Sequence, residues 1–222
     1  MVASAPLDVR VRAVSAATRL IAAQGFEATS VQAVADEVGV TKQAVLHHFS
    51  SKEQLRTAVL EAILAHWTEA LPRLLLAASA STDRFDAVFG ELHRFFSQEP
   101  DRALVVLREA LDRPREMKAL LRGPVRPWLG AVAGYIEAGK GGGTHYADVD
   151  AEAYVVHVLM MVIAASASAA VAQPLLEGAA GARPSARDRY DRELARIARA
   201  SLFCSPPPPR TPDPPKRARR SR

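Results

Sequence analysis

One stretch of the chain, residues 30–54, constrains the fold more than any other because it contains start and stop signals for successive helices. Ser30 precedes valines spaced three and four residues apart, which lie on one face of a short helix that the Ser30 hydroxyl can cap. Gly39 ends that helix, since glycine adopts the left-handed exit conformation without a Cβ penalty. Thr41 can cap a second helix. This spacing predicts a helix-turn-helix at residues 30–49.

The second helix of the motif, predicted over residues 42–48, has an outward face of small and hydrogen-bonding side chains. Such side chains can enter the major groove of DNA, although a polar outer face is also typical of a solvated helix. The glycine turn and the caps around this helix favour the DNA-binding interpretation. Ser51 with Gln54 then matches a capping box that opens a long helix.

The segment GVTKQAVLHHFSSKEQL, residues 39–55, resembles the one by which TetR-type (tetracycline-repressor-like) bacterial regulators are recognised. The close resemblance covers residues 11–60, and it departs from the common pattern at Leu46 and His48, where tyrosines are usual. It implies an all-α homodimer with an N-terminal DNA-binding domain and a variable helical ligand domain.

The outer face of the motif and its caps predict the contacts with DNA. Hydroxyl and ammonium groups are expected at phosphates, the glutamines at adenine edges, and the one alanine at a thymine methyl. The first histidine is expected at a base or a phosphate, and the second at a phosphate. The predicted contacts are Ser30, Gln32, Thr41, Lys42, Gln43, Ala44, His47, His48 and Lys52.

Residues 7–54 are predicted to form the DNA-binding domain, with the helix-turn-helix preceded by a helix over residues 7–24 that Gly25 ends. Three helices can enclose a small core that holds the recognition helix rigidly. The expected core residues are Val14, Ile21, Phe26, Val34, Val38, Val45 and Phe49.

Residues 55–204 are predicted to form a second helical domain, which the family resemblance links to ligand binding and dimerisation. Pro72 is expected to kink or end the long helix that begins near residue 52. Residues 117–122 are expected to form a short separate piece, with Pro124 in the first turn of the next helix. No strand is predicted anywhere, so the expected fold class is all-α.

The apolar stretch at residues 151–173 is long enough to span a membrane. His157, Ser166 and the absence of flanking basic residues favour a helix packed inside the protein instead. A last amphipathic helix is predicted over residues 183–203. By family resemblance, these last two helices pair with their copies in a four-helix dimer interface.

Several helices of the second domain carry aromatic, methionine and scattered polar side chains that could surround one cavity. Such a set is typical of a plain core and also of a small-molecule pocket. The candidate pocket residues are His66, Trp67, Phe89, His93, Phe96, Arg108, Trp128, Tyr135, His157, Met160 and Met161.

The net charge of +5 carries no information about the helix-turn-helix, because the excess lies at the end of the chain. Six of the 29 basic residues and one of the 24 acidic residues follow Cys204, so the rest of the chain is electrically balanced. Residues 205–222 are proline-rich, and we predict a disordered tail. It would act as a solubilising tail or add salt-dependent phosphate contacts.

Other sites are excluded or disfavoured by their patterns. The single cysteine, Cys204, excludes an internal disulfide and a thiol-rich zinc site. Residues 134–140 match only the start of a phosphate loop and end a helix, so nucleotide binding is not predicted. His145, Asp148 and Asp150 lie close together, but a solvated loop with a helix cap explains them better than a metal site. No catalytic motif is present, so neither an enzyme nor a cofactor is expected.

The sequence therefore predicts a TetR-like transcription regulator, typically a repressor that a small apolar or amphipathic ligand releases from a palindromic operator. No secretion signal is recognised near the N-terminus, which favours the cytoplasm. Two alternatives remain open. One is a ligand carrier with a vestigial helix-turn-helix, and the other is a non-specific DNA-binding protein acting through the basic tail.

Overall fold

A computed structural model describes residues 8–80, 84–176 and 184–204. The predicted tail at residues 205–222 lies outside this described part. The described residues form α-helices, one 3-10 turn at Pro174–Leu176 and an isolated bridge between His145 and Phe203, and they contain no strand, as the all-α prediction requires. The helices are α1 Val9–Gln24, α2 Val31–Val38, α3 Lys42–His48, α4 Lys52–Ala80, α5 Arg84–Ser97, α6 Pro100–Asp112, α7 Pro114–Gly141, α8 Ala151–Ala167, α9 Ala169–Ala172 and α10 Ala186–Ala200.

The start and stop signals of the helix-turn-helix are confirmed. The Ser30 hydroxyl accepts from Ala33 N at 3.0 Å, and the Thr41 hydroxyl accepts from Ala44 N at 3.2 Å. Gly39 has φ +74°, the left-handed conformation that its position at the end of α2 requires. These caps fix the boundaries of α2 and α3, and with them the direction of the recognition helix.

The capping box at the start of α4 is only half formed. The Ser51 hydroxyl accepts from Gln54 N at 3.1 Å, as predicted. The Gln54 side chain, however, accepts from the backbone N–H of Ser50 at 2.9 Å rather than from that of Ser51. Ser50 and Ser51 lie in a bend before α4, and the helix still begins at Lys52.

Prolines end fewer helices than the sequence predicts. Pro72 lies inside α4, and Pro124 lies inside α7 together with Pro127, so the predicted separate piece at residues 117–122 is part of one long helix. A proline removes one helical hydrogen bond and crowds the preceding turn, at a cost of about 3 kcal/mol. Both helices pack along neighbours for much of their length, α4 against α5 and α7 against α8, and this packing offsets the cost.

The apolar stretch of α8 is shorter than predicted, because the helix ends at Ala167 and turns at Ser168. The Ser168 hydroxyl donates to Ala164 O at 2.7 Å, the local bond by which serine favours a helix end. In the described part of the chain, no single helix is long and apolar enough to cross a membrane. α8 and the segment after it meet that criterion only together, across a bend of 63°.

Two hydrophobic cores follow each other along the molecule. The first joins α1, α2 and α3 to the start of α4, and it also includes Val105 of α6 and Met117 of α7. The second lies among α4, α5, α7, α8 and the segment after α10, around Trp67 and Trp128. α1 packs directly on α6, so the small N-terminal domain rests on the second domain through shared apolar contacts.

Candidate nucleic-acid interface and apolar cavity

The recognition helix α3 is anchored on one side and open on the other. Val45 is fully buried against Val34 and Ala35 of α2, which fixes the rotation of α3 about its axis. The opposite face therefore points away from the core. Most predicted DNA contacts are exposed, and the half-buried ones are Ala44, His48 and Lys52.

Three polar side chains on this face make no polar contact with the described part of the protein. Among the described residues, Lys42, Gln43 and His47 form no side-chain hydrogen bond and no ion pair. The rings of His47 and His48 meet edge to face at 5.5 Å, and His48 lies beside Phe49. An exposed, anchored helix face with unpaired donors has the features that readout of base edges needs.

Other predicted contacts are already engaged. Ser30 and Thr41 use their hydroxyl oxygens as cap acceptors, which leaves each hydroxyl proton free to donate to a phosphate. Gln32 Nε2 donates to Asp36 Oδ1 at 2.6 Å, one turn along α2. Its side chain would have to leave that bond to reach a base edge.

Lys52 forms contacts within the N-terminal domain. Its Nζ donates to Glu27 O at 2.9 Å and lies 4.4 Å from the centre of the Phe26 ring. The ammonium group therefore fastens the turn after α1 to the start of α4. Only its remaining protons are available to a phosphate.

Sequence reasoning missed two arginines beside this surface. Arg10, exposed near the start of α1, lies 5.5 Å over the ring of Phe49, directly after the recognition helix. The Arg12 guanidinium donates to Val38 O and holds the end of α2. The positions of these two arginines in the sequence of α1 did not indicate a place beside the recognition helix, because only the tertiary packing brings α1 next to the end of α3.

A buried ion pair joins the start of α4 to α6 beside the N-terminal core, and the sequence did not predict it. The Arg56 guanidinium of α4 donates from Nε to Glu109 Oε2 of α6 at 2.8 Å, with a second bond from Nη2 to the same oxygen. Arg56 is 7% exposed and Glu109 2% exposed. The hydrogen bond to Glu109 raises the pKa of Arg56 above its ordinary value.

Three cations surround one aromatic ring at the contact between the N-terminal domain and the α6–α7 corner, which we call the seam. Phe26 is buried in the turn after α1, and the cations of Lys52, Arg56 and Arg113 lie 4.4, 5.6 and 4.5 Å from its ring centre. Arg113, at the corner between α6 and α7, also pairs with Glu27 at 2.7 Å. Cation–π contacts and ion pairs thus tie the N-terminal domain to the α6–α7 corner.

A narrow apolar cavity lies in the second domain between α5, α7 and α8. Including its open mouth it holds about 540 Å³, but only about 50 Å³ is wide enough for the centre of a water molecule. Of the candidate pocket residues, the cavity brings together Phe89, Trp128 and Tyr135. The full lining is Arg84, Phe85, Val88, Phe89, Leu92, Trp128, Val132, Tyr135, Ile136, Tyr154, Val155, Val158 and Leu202.

Three more candidates stand behind the cavity wall. His93 stacks on Phe89 with ring centres 6.2 Å apart, and its Nε2 lies 3.3 Å from Asp191 Oδ1. Trp67 meets Trp128 edge to face at 5.2 Å, and Phe96 is buried in the same core. These side chains support the lining without forming part of it.

The remaining candidates lie elsewhere. His66 is exposed on α4, with Nδ1 2.7 Å from Ala62 O. Arg108 reaches the domain seam, where its Nη2 donates to Ala23 O at 3.4 Å. On α8, His157 and Met160 are exposed, and Met161 is partly buried beside the core. Side-chain type alone could not separate these residues from the lining, because the rotation of each helix decides which positions face the cavity.

The loop after α7 contains no metal site in the part of the chain described here. Asp150 caps α8 by accepting from Ala153 N at 2.9 Å, as the solvated-loop interpretation predicts. His145 is buried, with Nδ1 3.0 Å from Ile136 O and its ring against Phe203. The ring packs so closely on Gly139 that a Cβ there would lie 2.0 Å from Nδ1.

Comparison with known proteins agrees with this geometry. The family model of bacterial regulatory proteins, tetR family, matches residues 13–59, which span α1 to the first part of α4. None of the curated proteins matches the sequence. Solved structures, in contrast, match nearly the whole chain.

Three of these structures illustrate the likeness, all at identities that support a shared fold. The ketosteroid transcriptional regulator KstR2 of Mycobacterium tuberculosis has a TM-score of 0.65 at 16% identity, over 92% of this chain and 100% of its own. AibR in complex with isovaleryl coenzyme A and operator DNA has a TM-score of 0.66 at 19% identity, over 88% and 98%. A putative transcriptional regulator from Saccharomonospora viridis in complex with choline has a TM-score of 0.61 at 20% identity, over 88% and 98%. Residues 13–59 therefore match the N-terminal domain of the tetR family of bacterial regulatory proteins, and nearly the whole chain shares the fold of these solved structures.

Proposed function

We propose that this protein is a repressor that binds a palindromic operator through α3 and leaves it when a small apolar or amphipathic ligand occupies the second domain. The observation that carries the proposal is the open face of α3, where Lys42, Gln43 and His47 are exposed and form no polar contact with the described residues, on a helix anchored by buried Val45. In this proposal, residues 7–54 read DNA and residues 55–204 bind ligand and partner. Such a regulator works in the cytoplasm, where its DNA is found.

Apolar side chains on two helices support a homodimer. Val156 and Met160 on α8 are 41% and 37% exposed, and Ile197 on α10 is 44% exposed. α8 and α10 are in contact, and apolar residues exposed on neighbouring helices are typical of a surface that another protein covers. We infer that α8 and α10 pair with their copies, which would hold two recognition helices at the spacing of successive major grooves.

The seam between the domains supplies a route from ligand to DNA. α6 contacts α1 and α8, and its Glu109 is bonded to Arg56 of α4. A ligand that spreads α5, α7 and α8 would move α6 and, through this bond, the N-terminal domain. The change in DNA affinity is limited by the ligand's differential affinity for the two conformers, about 1–3 kcal/mol in typical allosteric proteins.

The proposal is tested by a gel-shift titration of the full chain against the DNA that flanks its own gene, with random DNA as competitor. We expect discrete shifts that resist the competitor, and a loss of about 1–3 kcal/mol of that discrimination for Gln43→Ala. Gln98→Ala, an exposed glutamine after α5, is the matched control and should bind as the wild type does. Equal affinity of the wild type for flanking and random DNA at physiological salt would refute specific regulation. If Gln43→Ala kept full discrimination, α3 would not be the reading helix.

A further inference from the structure

The polar groups around the apolar cavity are mostly hydrogen-bond donors. This property limits the class of ligand that the proposed function leaves open. No carboxylate and no side-chain amide occurs among the lining residues. The polar groups of the lining are the Arg84 guanidinium, the Trp128 indole N–H and two tyrosine hydroxyls. Arginine and tryptophan are donors only, so the polar groups of the lining residues are mostly donors, while the inner surface of the cavity itself is almost wholly apolar.

Arg84 is the one charged group of the lining, and no carboxylate of the described residues pairs with it. Its guanidinium lies 5.6 Å over the ring of Tyr135, and among the described residues it forms no ion pair. Asp86, nearby on the same helix, lies 3.4 Å from Arg199. A cation at the edge of an apolar cavity, without a carboxylate of its own, is suited to receive one from a ligand, and guanidinium binds carboxylate in a bidentate manner.

Two of the other three donors also lack an acceptor in the described protein. Trp128 is 3% exposed, and its Nε1–H has no acceptor in the described structure. The Tyr135 hydroxyl forms no hydrogen bond with the described protein, whereas the Tyr154 hydroxyl donates its proton to Ala198 O at 2.6 Å. A buried donor without an acceptor is costly, and a ligand oxygen would satisfy it.

A cationic ligand is disfavoured although aromatic rings line the cavity. Aromatic faces can bind ammonium groups. Here, however, guanidinium groups already lie over two of the aromatic lining residues, Arg84 over Tyr135 and Arg199 at 5.2 Å over Phe85. A second cation would meet this positive charge without any carboxylate in the lining to neutralise it.

From this geometry we propose that the cavity binds a slender apolar carboxylic acid. Its carboxylate is held by Arg84 and the Tyr135 hydroxyl, and its hydrocarbon part lies between Phe89, Val132 and Val158. The narrow free space of about 50 Å³ leaves little room for a bulky ring system. This inference rests on the proposed function only for the consequence of binding, since the binding itself is measurable without DNA.

The test is isothermal titration calorimetry of the full chain with three probes of equal length: octanoate, octylamine and octanol. We expect saturable binding of one octanoate per chain, with octylamine at least tenfold weaker. Arg84→Gln should weaken octanoate at least tenfold and leave octanol unchanged. Arg122→Gln removes an exposed arginine of α7 outside the cavity, and this control should bind octanoate as the wild type does.

Val132→Phe fills the cavity and should abolish octanoate binding while circular dichroism stays that of the wild type. The proposal is overturned if octylamine binds as tightly as octanoate, if Arg84→Gln has no effect, or if none of the three probes binds. DNA binding by the ligand-free protein is measured separately. A chain that binds operator DNA but no octanoate refutes this inference alone, and one that binds octanoate but no specific DNA refutes the proposed regulation.

Discussion

The buried pair of Arg56 and Glu109 joins the start of α4 to α6 beside the N-terminal core, and Glu109→Gln is a direct way to weaken it. The substitution keeps the shape of the side chain and removes its charge. Arg56 then stays buried, 7% exposed, with its main partner neutral. We expect a large loss of stability, because a buried cation without its counter-ion cannot be solvated by water.

The size of the loss follows from the surroundings of Arg56. Removing one partner of a buried ion pair typically costs about 3–5 kcal/mol. Two further carboxylates soften this loss, Glu116 at 3.0 Å and Glu53 at 3.8 Å, but both are more than 60% exposed and therefore weakened by solvent. We predict that Glu109→Gln lowers the free energy of unfolding by about 2–4 kcal/mol.

Urea unfolding at one fixed protein concentration measures this loss, since the stability of a dimer depends on concentration. With a slope of about 2 kcal/mol per molar urea, the midpoint should fall by about 1–2 M. The exposed pair of Arg126 and Glu152, at 2.9 Å, provides the control, and Glu152→Gln should cost at most about 1 kcal/mol. The double variant Arg56→Met, Glu109→Leu replaces the pair by apolar groups and should recover most of the loss. The reasoning fails if Glu109→Gln costs no more than the control, or if the double variant is no more stable than Glu109→Gln.

Three further predictions concern stability, and urea unfolding checks each of them. Gly139→Ala should lower the free energy of unfolding by about 1–3 kcal/mol, since its Cβ would lie 2.0 Å from the His145 ring. Gly134→Ala on the same helix meets open space and should raise the free energy of unfolding by up to about 1 kcal/mol. An equal effect of the two changes would contradict the packing. Gly39→Ala should cost about 1–2 kcal/mol although its Cβ would touch nothing, because its φ of +74° is strained for any other residue; a neutral result would show that the turn adapts. Burial raises the pKa of Tyr154 above its usual value, so the folded state keeps a proton that the unfolded state loses, and stability should fall as pH rises above about 10. Tyr154→Phe should show a shallower fall, and an identical pH profile would refute this assignment.

Local signals explain why the N-terminal domain could be predicted from the sequence. The caps at Ser30 and Thr41 and the left-handed turn at Gly39 depend on bonds between residues only a few positions apart. The spacing of residue types along the sequence is enough to predict such bonds. The boundaries of α2 and α3 were therefore predicted to the residue.

Features that depend on distant contacts were not predictable in this way. The prolines inside α4 and α7 are tolerated because neighbouring helices pack along both, which no local rule reveals. Arg56 and Glu109 are 53 positions apart, and neither position signals burial of its charge. The candidate pocket residues were chosen by side-chain type, whereas the cavity wall is decided by the rotation of each helix. Arg84 and the valines of the lining were missed for this reason.

The central claim, that α3 reads a specific DNA sequence as part of a symmetric pair, is tested most directly by selection from a random library of double-stranded DNA with the full chain. We expect enrichment of one inverted repeat whose half-sites are centred about one helical turn, or a multiple of it, apart. The same selection with Gln43→Ala should relax the preference at one position of each half-site. Recovery of DNA without any shared sequence would contradict the account.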